Sequence, residues 1–417
     1  MPKEKAVLAY SGGLDTSVCI RYLQNLHNYD VVTVTVDCGQ DENFQEIEKK
    51  STDTGAIKHI YIDAKEEFAR DFVIPCIKAN GLYQNKYPLS TALARPLIAA
   101  KAVEVANIEG ATAIAHGCTG KGNDQIRFDI TMRALNPKLK IIAPIRDLNL
   151  TRDDEIKFAT EQHIPISPIA NKYSVDLNIW GRAIEGGNLE DPYSQPPEDA
   201  FQLVKFDNSD VDYLELEFQN GVPAVVDGNH MSIKGLIEYL NTKVGSCGVG
   251  IVDHIEDRVI GIKSREIYEA PAAIAIIEAH KDLEKMVLTM HEIHFKQLVD
   301  QQWSWMIYSG LWPDPLRTDL DKFIDSTQTR VTGKVRLKLQ KGSLQVVGRE
   351  SPYSLYRNDL ATFGAGSKFD QGLAKGFVEL WGLQSIIANT VANEMKNTQN
   401  TKISSLGTLN GESLRNL

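Results

Sequence analysis

Near the start of the chain, Tyr10-Ser11-Gly12-Gly13-Leu14-Asp15-Thr16-Ser17 brings together residue types suited to polyphosphate. Two glycines let backbone approach a polyanion closely. A helix beginning behind them offers unpaired N–H groups and the positive end of its dipole. The hydroxyls of Ser11, Thr16 and Ser17 add donors. The spacing is neither G-x-x-x-x-G-K-[ST] nor G-x-G-x-x-G, and no lysine is present in the stretch, so a loop built for γ-phosphoryl transfer is excluded. A second cluster runs from His116 to Phe128, HGCTGKGNDQIRF. Three glycines, Thr119 and Lys121 ahead of a helix start make another anion site. Asn123 and Arg127 stand i, i+4, on one helix face. Arg127 can grip a carboxylate with both arms of its guanidinium, and Asn123 can supply amide contacts. Together the two clusters read as a site for a small anionic substrate beside a polyphosphate.

Both clusters require a frame that presents strand ends and helix starts. The first 165 residues alternate short apolar runs with helical patterns. Strands are expected at Ala6–Tyr10, Val31–Val36, His59–Ile62, Ala111–Ala115 and Lys140–Pro144. Helices are expected at Thr16–Leu26, Asn43–Thr54, Phe68–Lys78, Thr91–Ala106 with Ser90 as its cap, Gln125–Leu135 and Asp153–Gln162. That alternation predicts an α/β fold, a doubly wound parallel sheet with ligands outside the carboxyl ends of its strands. After about residue 165 the pattern becomes α+β. Tyr213–Phe218 and Val222–Val226 flank the Asn220-Gly221 turn, and Val335–Leu339 and Leu344–Val347 form a second hairpin. Ser232–Lys243 reads as an amphipathic helix, Ala275–Val299 as a helical region broken once, and Phe377–Lys396 as a final helix before a mobile tail. Domains are therefore expected over 1–165, 166–375 and 376–417.

Composition removes several classes of function. Of 417 residues, 42% are hydrophobic and 24% charged, as in ordinary globular chains, and no apolar run reaches a membrane span. The start carries no secretory signal, so a cytoplasmic protein is expected. A net charge of −10 disfavours nonspecific nucleic-acid binding. The five cysteines include no C-x-x-C and show no metal-type spacing, so they read as reduced and mostly buried, and no resident metal site is expected. His291-Glu292-Ile293-His294 is one residue short of H-E-x-x-H and reads as a helix surface.

The S-G-G-x-D pattern of Ser11–Asp15 resembles the signature of the ATP pyrophosphatases, the PP-loop family with a HUP-like sheet. That resemblance implies ATP cleavage between the α- and β-phosphates, with pyrophosphate released and a substrate adenylated. Asp15 would bear on the phosphates through Mg²⁺ or cap the helix. With YPLSTALARP (Tyr87–Pro96), HGCTGKGNDQIRF, Ser174-Val175-Asp176, Leu189–Pro192, Gly261–Arg265, Tyr268–Pro271 and Gly348–Pro352, the chain is similar to the argininosuccinate synthases over about residues 4 to 360. The resemblance implies a ligase that joins citrulline to aspartate, with a C-terminal synthetase domain and a helical arm that assembles a homotetramer.

It also implies roles for matching positions. Ala9, Tyr10, Ser11, Gly12, Gly13, Leu14, Asp15, Thr16 and Ser17, with Gly117, would hold ATP. Tyr87, Asn123, Arg127, Ser174, Glu256 and Tyr268 would hold citrulline. Thr91, Thr119, Asn123 and Asp124 would hold aspartate; as a mechanistic hypothesis apart from the resemblance, Asp124 helps to deprotonate its ammonium. Asp15 and Asp124 are thus the catalytic candidates. One departure is Ala183 in Gly181-Arg182-Ala183-Ile184-Glu185, where the family commonly has a serine that touches citrulline. A tRNA-thiolating PP-loop enzyme would share the first motif but would use reactive cysteines and a basic face. A nucleotide sensor would need neither the second loop nor the large C-terminal half.

Overall fold

The computed structural model describes residues 3–165, 173–206 and 210–412. Its first sheet is parallel, with order β3-β2-β1-β4-β5: β1 (Lys5–Ala9), β2 (Asp30–Asp37), β3 (Lys58–Asp63), β4 (Ala113–Ala115) and β5 (Lys140–Ile142). Between and after these strands lie α1 (Leu14–His27), α2 (Phe44–Thr54), α3 (Lys65–Phe68), α4 (Ile74–Lys78), α5 (Ser90–Glu109), α6 (Asp124–Leu135), α7 (Pro144–Asp147) and α8 (Arg152–Glu161). Residues 65–78 are continuously helical, with a π-helical turn at Ala69–Val73 just ahead of Pro75. Pro144 opens α7 rather than closing β5, because a proline fits the first helical turn and cannot extend a ladder. The chain leaves β1 toward β2 and β3, then returns to lay β4 on the other side of β1. The loops after β1 and β4 are therefore neighbours at the point where strand order reverses, where open sheets bind ligands.

Ser90 does not cap α5. The preceding residue, Leu89, is left-handed (φ 64°), and the Tyr87 hydroxyl accepts from the N–H groups of Thr91 (2.9 Å) and Ala92 (3.3 Å). A side chain three residues before the helix thus does the work of a cap and fixes the Tyr87 ring.

The second half contains two antiparallel sheets. One has order β11-β12-β7-β6, from β6 (Ser174–Asn178), β7 (Gly181–Glu185), β11 (Ile251–Asp257) and β12 (Lys263–Glu269). The other, β10-β9-β8-β13-β14, comprises β8 (Asp212–Gln219), β9 (Val222–Val226), β10 (Asn229–His230), β13 (Gly333–Gln340) and β14 (Ser343–Glu350). The hairpins expected at Asn220-Gly221 and at 341–343 are both present. Helices α9 (Ile233–Ser246), α10 (Pro271–Val287), α11 (Met290–Tyr308) and α12 (Pro315–Gln328) complete this half. The break between α10 and α11 falls at Leu288-Thr289. There Thr289 and Glu292 form a capping box, which gives Glu292 a structural role and removes it from any metal reading.

Residues 1–355 form one compact unit and residues 356–417 another. The second unit is helical, with α13 (Asn358–Ala361), α14 (Gly372–Trp381) and α15 (Leu383–Glu412). α15 runs to Glu412, where the Asn- and Ser-rich composition predicts a mobile tail; the residues after Glu412 lie outside those described. No described helix is long and apolar enough to cross a membrane.

Candidate active site

The loop after β1 turns at Gly12 (φ 76°) and enters α1 with Gly13 as an N-cap that offers no side chain. The first-turn N–H groups of α1 are left for a ligand. Lys50 Nζ, from α2, donates to the Gly12 carbonyl (2.6 Å), a tie that sequence spacing did not disclose. Ser17 is buried, and its hydroxyl is engaged with the Gly13 carbonyl (2.7 Å) and the Tyr10 hydroxyl (3.1 Å). Ser17 therefore shapes the loop, and the hydroxyls offered to a ligand are those of Ser11 and Thr16, which line the cavity. Gly12, Gly13 and Leu14 are not among its walls.

Asp15 does not cap α1; it pairs with Arg152 Nη1 at 2.9 Å. Beside it lies Glu155 of α8, buried, its carboxyl facing that of Asp15. Burial, and then the charge of Asp15, push the Glu155 carboxyl up to about 8. Folded protein consequently binds a proton at Glu155 that the unfolded chain has already released. Stability from this group is full below the unfolded value and is lost as pH rises from about 4.5 through 8. Glu155→Gln is expected to flatten that slope and to gain on the order of 1–3 kcal/mol over the parent at pH 8.5. Melting curves at pH 6 and 8.5 check this, and parallel pH trends in the two proteins would contradict it.

The loop after β4 presses on the first. A Cβ on Gly117 would stand 3.0 Å from Thr16 Cγ2 and 3.2 Å from Thr16 N, so any side chain there would push the two loops apart by a few tenths of an ångström. His116 is buried, with Nε2 on Asp129 Oδ1 (2.8 Å) and Nδ1 accepting from Cys118 N–H (3.2 Å), which locks the loop's base. The Lys121 side chain is exposed and lines no part of the cavity.

Asn123 precedes the first residue of α6 without a side-chain capping bond, and Arg127 lies one turn on, as the i, i+4 spacing predicts; both line the cavity. Asp124 is gripped by two guanidiniums: Arg95 Nε on Oδ2 (2.8 Å) and Arg127 Nη1 on Oδ1 (2.8 Å). Although burial pushes the other way, these cations hold its carboxyl below the usual range. A carboxylate so stabilised is a poor proton acceptor, so its environment supports anchoring a cation and does not support the proposed deprotonation of an ammonium. Arg95 also bonds Asp176, whose single cationic partner does not offset burial, and the Asp176 carboxyl is raised.

The far wall is one face of the β6-β7-β11-β12 sheet. Asp176, Ala183 and Tyr268 stand side by side in register across β6, β7 and β12. Ser174, Glu185, Glu256 and Glu266 extend that wall. Glu256 accepts from the hydroxyls of Tyr268 (2.6 Å) and Tyr308 (2.5 Å). Tyr87 stacks on Tyr268 with centroids 4.1 Å apart. The Tyr87 phenol, pushed up to about 12 by burial, keeps its proton, and its O–H remains available because both of its protein contacts come from donors.

The two loops, the start of α6 and the sheet wall surround one cavity of about 470 Å³. It gathers Ala9, Tyr10, Ser11, Asp15, Thr16 and Gly117 with Tyr87, Thr91, Thr119, Asn123, Asp124, Arg127, Ser174, Glu256 and Tyr268. Thr91 faces it with a buried hydroxyl that lacks a partner among the described residues. Sequence reasoning missed the Val34–Val36 edge of β2, Gln40, Arg95, Asp176, Arg258 and Glu266, which also line it. Arg95 and Asp176 stood inside quoted motifs, and a cation paired with acids beside a phosphate loop was the available signal.

A family model described as the arginosuccinate synthase N-terminal HUP domain matches residues 5–165, and one described as the arginosuccinate synthase C-terminal domain matches residues 173–388. The chain belongs to the argininosuccinate synthase family. Curated argininosuccinate synthases are similar along nearly their whole length. The protein of Pyrococcus furiosus is 53% identical, covering 95% of this chain and 97% of its own. Those of Dictyoglomus thermophilum and Methanocaldococcus jannaschii are each 52% identical, covering 93% and 92% of this chain and 98% and 97% of their own. As an argininosuccinate synthase family member, the chain uses the α/β HUP architecture, and its nucleotide-binding loops sit at the strand-order reversal described above.

Proposed function

We propose that this chain condenses citrulline with aspartate to argininosuccinate, splitting ATP to AMP and pyrophosphate, as a step of arginine biosynthesis. The carrying observation is a single cavity lined both by the glycine-rich loop after β1 and by Arg127 and Glu256, opposite charges suited to an α-carboxylate and an α-ammonium. Citrulline's ureido oxygen attacks the α-phosphorus and pyrophosphate leaves, giving a citrullyl adenylate. Aspartate's neutral amine then attacks the ureido carbon, and AMP departs with the former ureido oxygen. No protein nucleophile takes part; positioning and fixed charge supply the catalysis.

Tyr87, Asn123, Arg127, Ser174, Glu256 and Tyr268 are assigned to citrulline, and Thr91, Thr119, Asn123 and Asp124 to aspartate. Asp124 acts as a fixed negative charge. No three His, Cys, Asp or Glu side chains come together as a metal cage among the described residues. Mg²⁺ typically binds through substrate phosphates, waters and one or two carboxylates, and Asp15 at the loop mouth fits that need. When bound, the ion neutralises phosphate charge. The expected assay result is AMP, pyrophosphate and argininosuccinate in equal amounts, only when both amino acids are present. ADP formation, or turnover without citrulline, would refute the reading.

Ala183 sits between Tyr268 and Asp176 on the citrulline wall. Ala183→Ser would add a hydroxyl there, and the KM for citrulline is expected to fall about 2- to 10-fold. An unchanged KM would place that contact elsewhere.

We also propose a cytoplasmic homotetramer held by the C-terminal helices. All five cysteines are free thiols, in keeping with a reducing compartment. On α14, Leu373, Phe377, Leu380 and Trp381 are 60–78% exposed, an apolar surface suited to a second copy of the chain. Deleting residues 376–417 is expected to lower the mass seen by light scattering below that of a tetramer. An unchanged mass would overturn the arm's role.

A further inference from the structure

Tyr308 ends α11, far in sequence from every motif that the site uses, yet three citrulline-assigned residues converge on it. Its hydroxyl donates to Glu256 Oε1 at 2.5 Å and accepts from Asn123 Nδ2 at 2.8 Å. Its carbonyl accepts from Arg127 Nε (3.1 Å) and Nη2 (2.9 Å). The Arg127 guanidinium also lies over its ring, 5.1 Å from the centroid. The ring stacks on Tyr83 with centroids 3.5 Å apart and planes at 4°, and the Tyr83 hydroxyl is tied to the Asp257 carbonyl (2.8 Å), next to Glu256.

These bonds decide which donors and acceptors remain for a substrate. Arg127 has five N–H groups. Two go to the Tyr308 carbonyl and one, from Nη1, to Asp124, so one N–H on each terminal nitrogen stays without a protein partner. Asn123 has its amide orientation set from both sides. Nδ2 faces Tyr308, and Oδ1 accepts from Val259 N–H at 3.0 Å, so one N–H and one lone pair are left for ligand. Glu256 has each oxygen met by one phenol. Burial and the neighbouring Glu256 push the Tyr308 phenol far above its ordinary range, so it serves as a donor throughout the working pH range. The close seat on α6 is enforced at Gly310 (φ 78°), where a Cβ would meet Arg127 Cα at 3.0 Å.

We infer that Tyr308 is the positioning residue of the citrulline subsite. Its phenol and its carbonyl set Glu256 of β11 against Asn123 and Arg127 at the start of α6, at the spacing of an amino acid's ammonium and carboxylate. This rests on the proposed assignment of that subsite to citrulline.

Tyr308→Phe keeps the ring stack and the carbonyl and removes only the hydroxyl. The KM for citrulline is expected to rise on the order of 10- to 100-fold, the effect of losing a hydrogen bond to a charged group. The KM for ATP should stay within about 3-fold and the melting temperature within a few degrees, because neither the phosphate loops nor the stack is touched. Tyr308→Leu, which also loses the stack, should raise the citrulline KM further. Unchanged citrulline KM in Tyr308→Phe with an active parent would overturn the positioning role alone. Equal rises in the KM values for ATP and citrulline would overturn it in favour of a general structural role. A parent enzyme that makes no argininosuccinate would refute the underlying assignment and this inference with it.

Discussion

Arg127→Lys is expected to lower kcat/KM for citrulline by at least a hundredfold while leaving the KM for ATP within about 3-fold. Charge is kept, so the loss measures geometry. A lysine ammonium cannot present the two parallel donors that a carboxylate prefers, nor can it reach the Tyr308 carbonyl and Asp124 together. The cost has a second part. Asp124, half-buried, would lose one of the two guanidinium hydrogen bonds that hold its carboxylate. Losing two charge-assisted hydrogen bonds of about 1.5–3 kcal/mol each is enough for a hundredfold. Steady-state kinetics with each substrate varied in turn checks this. A uniform change in all three KM values, or a loss below tenfold, would contradict the assignment of Arg127.

Lys296→Met is expected to lower the unfolding free energy by about 3–5 kcal/mol with no direct effect on the chemistry. Lys296 is only 1% exposed and lies in the second half, between Glu284 (3.0 Å), Asp300 (2.8 Å) and the Lys78 carbonyl (2.8 Å). Asn80 bridges the same two acids, and His280 bonds Asn80 and Gln328 within the same buried network. Removing the ammonium leaves two buried carboxyls facing each other. The parent already shows the strain, because burial pushes Asp300 up to about 7 despite Lys296. A carboxyl raised above its unfolded value contributes stability that is lost as pH rises, here from about 4 through 7. Without Lys296 that loss should be steeper, so the variant's deficit should be smaller at pH 5 than at pH 8. Thermal melts at the two pH values test both claims, and a variant as stable as the parent at pH 8 would refute the first.

The parallel sheet is legible in the sequence because β1 and β2 are buried on both faces and read as unbroken apolar runs such as VVTVTV. Gly-rich stretches at the ends of β1 and β4 then mark where ligands go. The sheet that carries Ser174, Ala183, Glu256 and Tyr268 is not legible, for a physical reason. Its strands bury charged residues: Arg182 and Glu269 form an ion pair at 2.6 Å, and the N–H groups of Gln202, Leu203 and Val204 also reach Glu269. Asp176, Glu256 and Glu266 line the cavity from the same strands. Apolar alternation, the usual strand signal, is therefore missing where the site is built. The surroundings of Ser17 and the cap of α5 are illegible for a related reason. A hydroxyl beside a helix start is an ordinary phosphate ligand or cap, and only the fold shows Ser17 turned onto its own loop and Tyr87 capping in place of Ser90. Tyr308 has no local signal at all, since its side-chain hydrogen-bond partners lie 52 and 185 positions away.

The most direct test follows one oxygen atom. Citrulline labelled with ¹⁸O in the ureido group is turned over with ATP and aspartate, and the AMP and pyrophosphate are weighed by mass spectrometry. Transfer of the label to AMP, one atom per turnover, with unlabelled pyrophosphate, is the result that an adenylated ureido oxygen requires. Label released to water, or AMP formed without it, would contradict the adenylate and the chemistry assigned to this cavity.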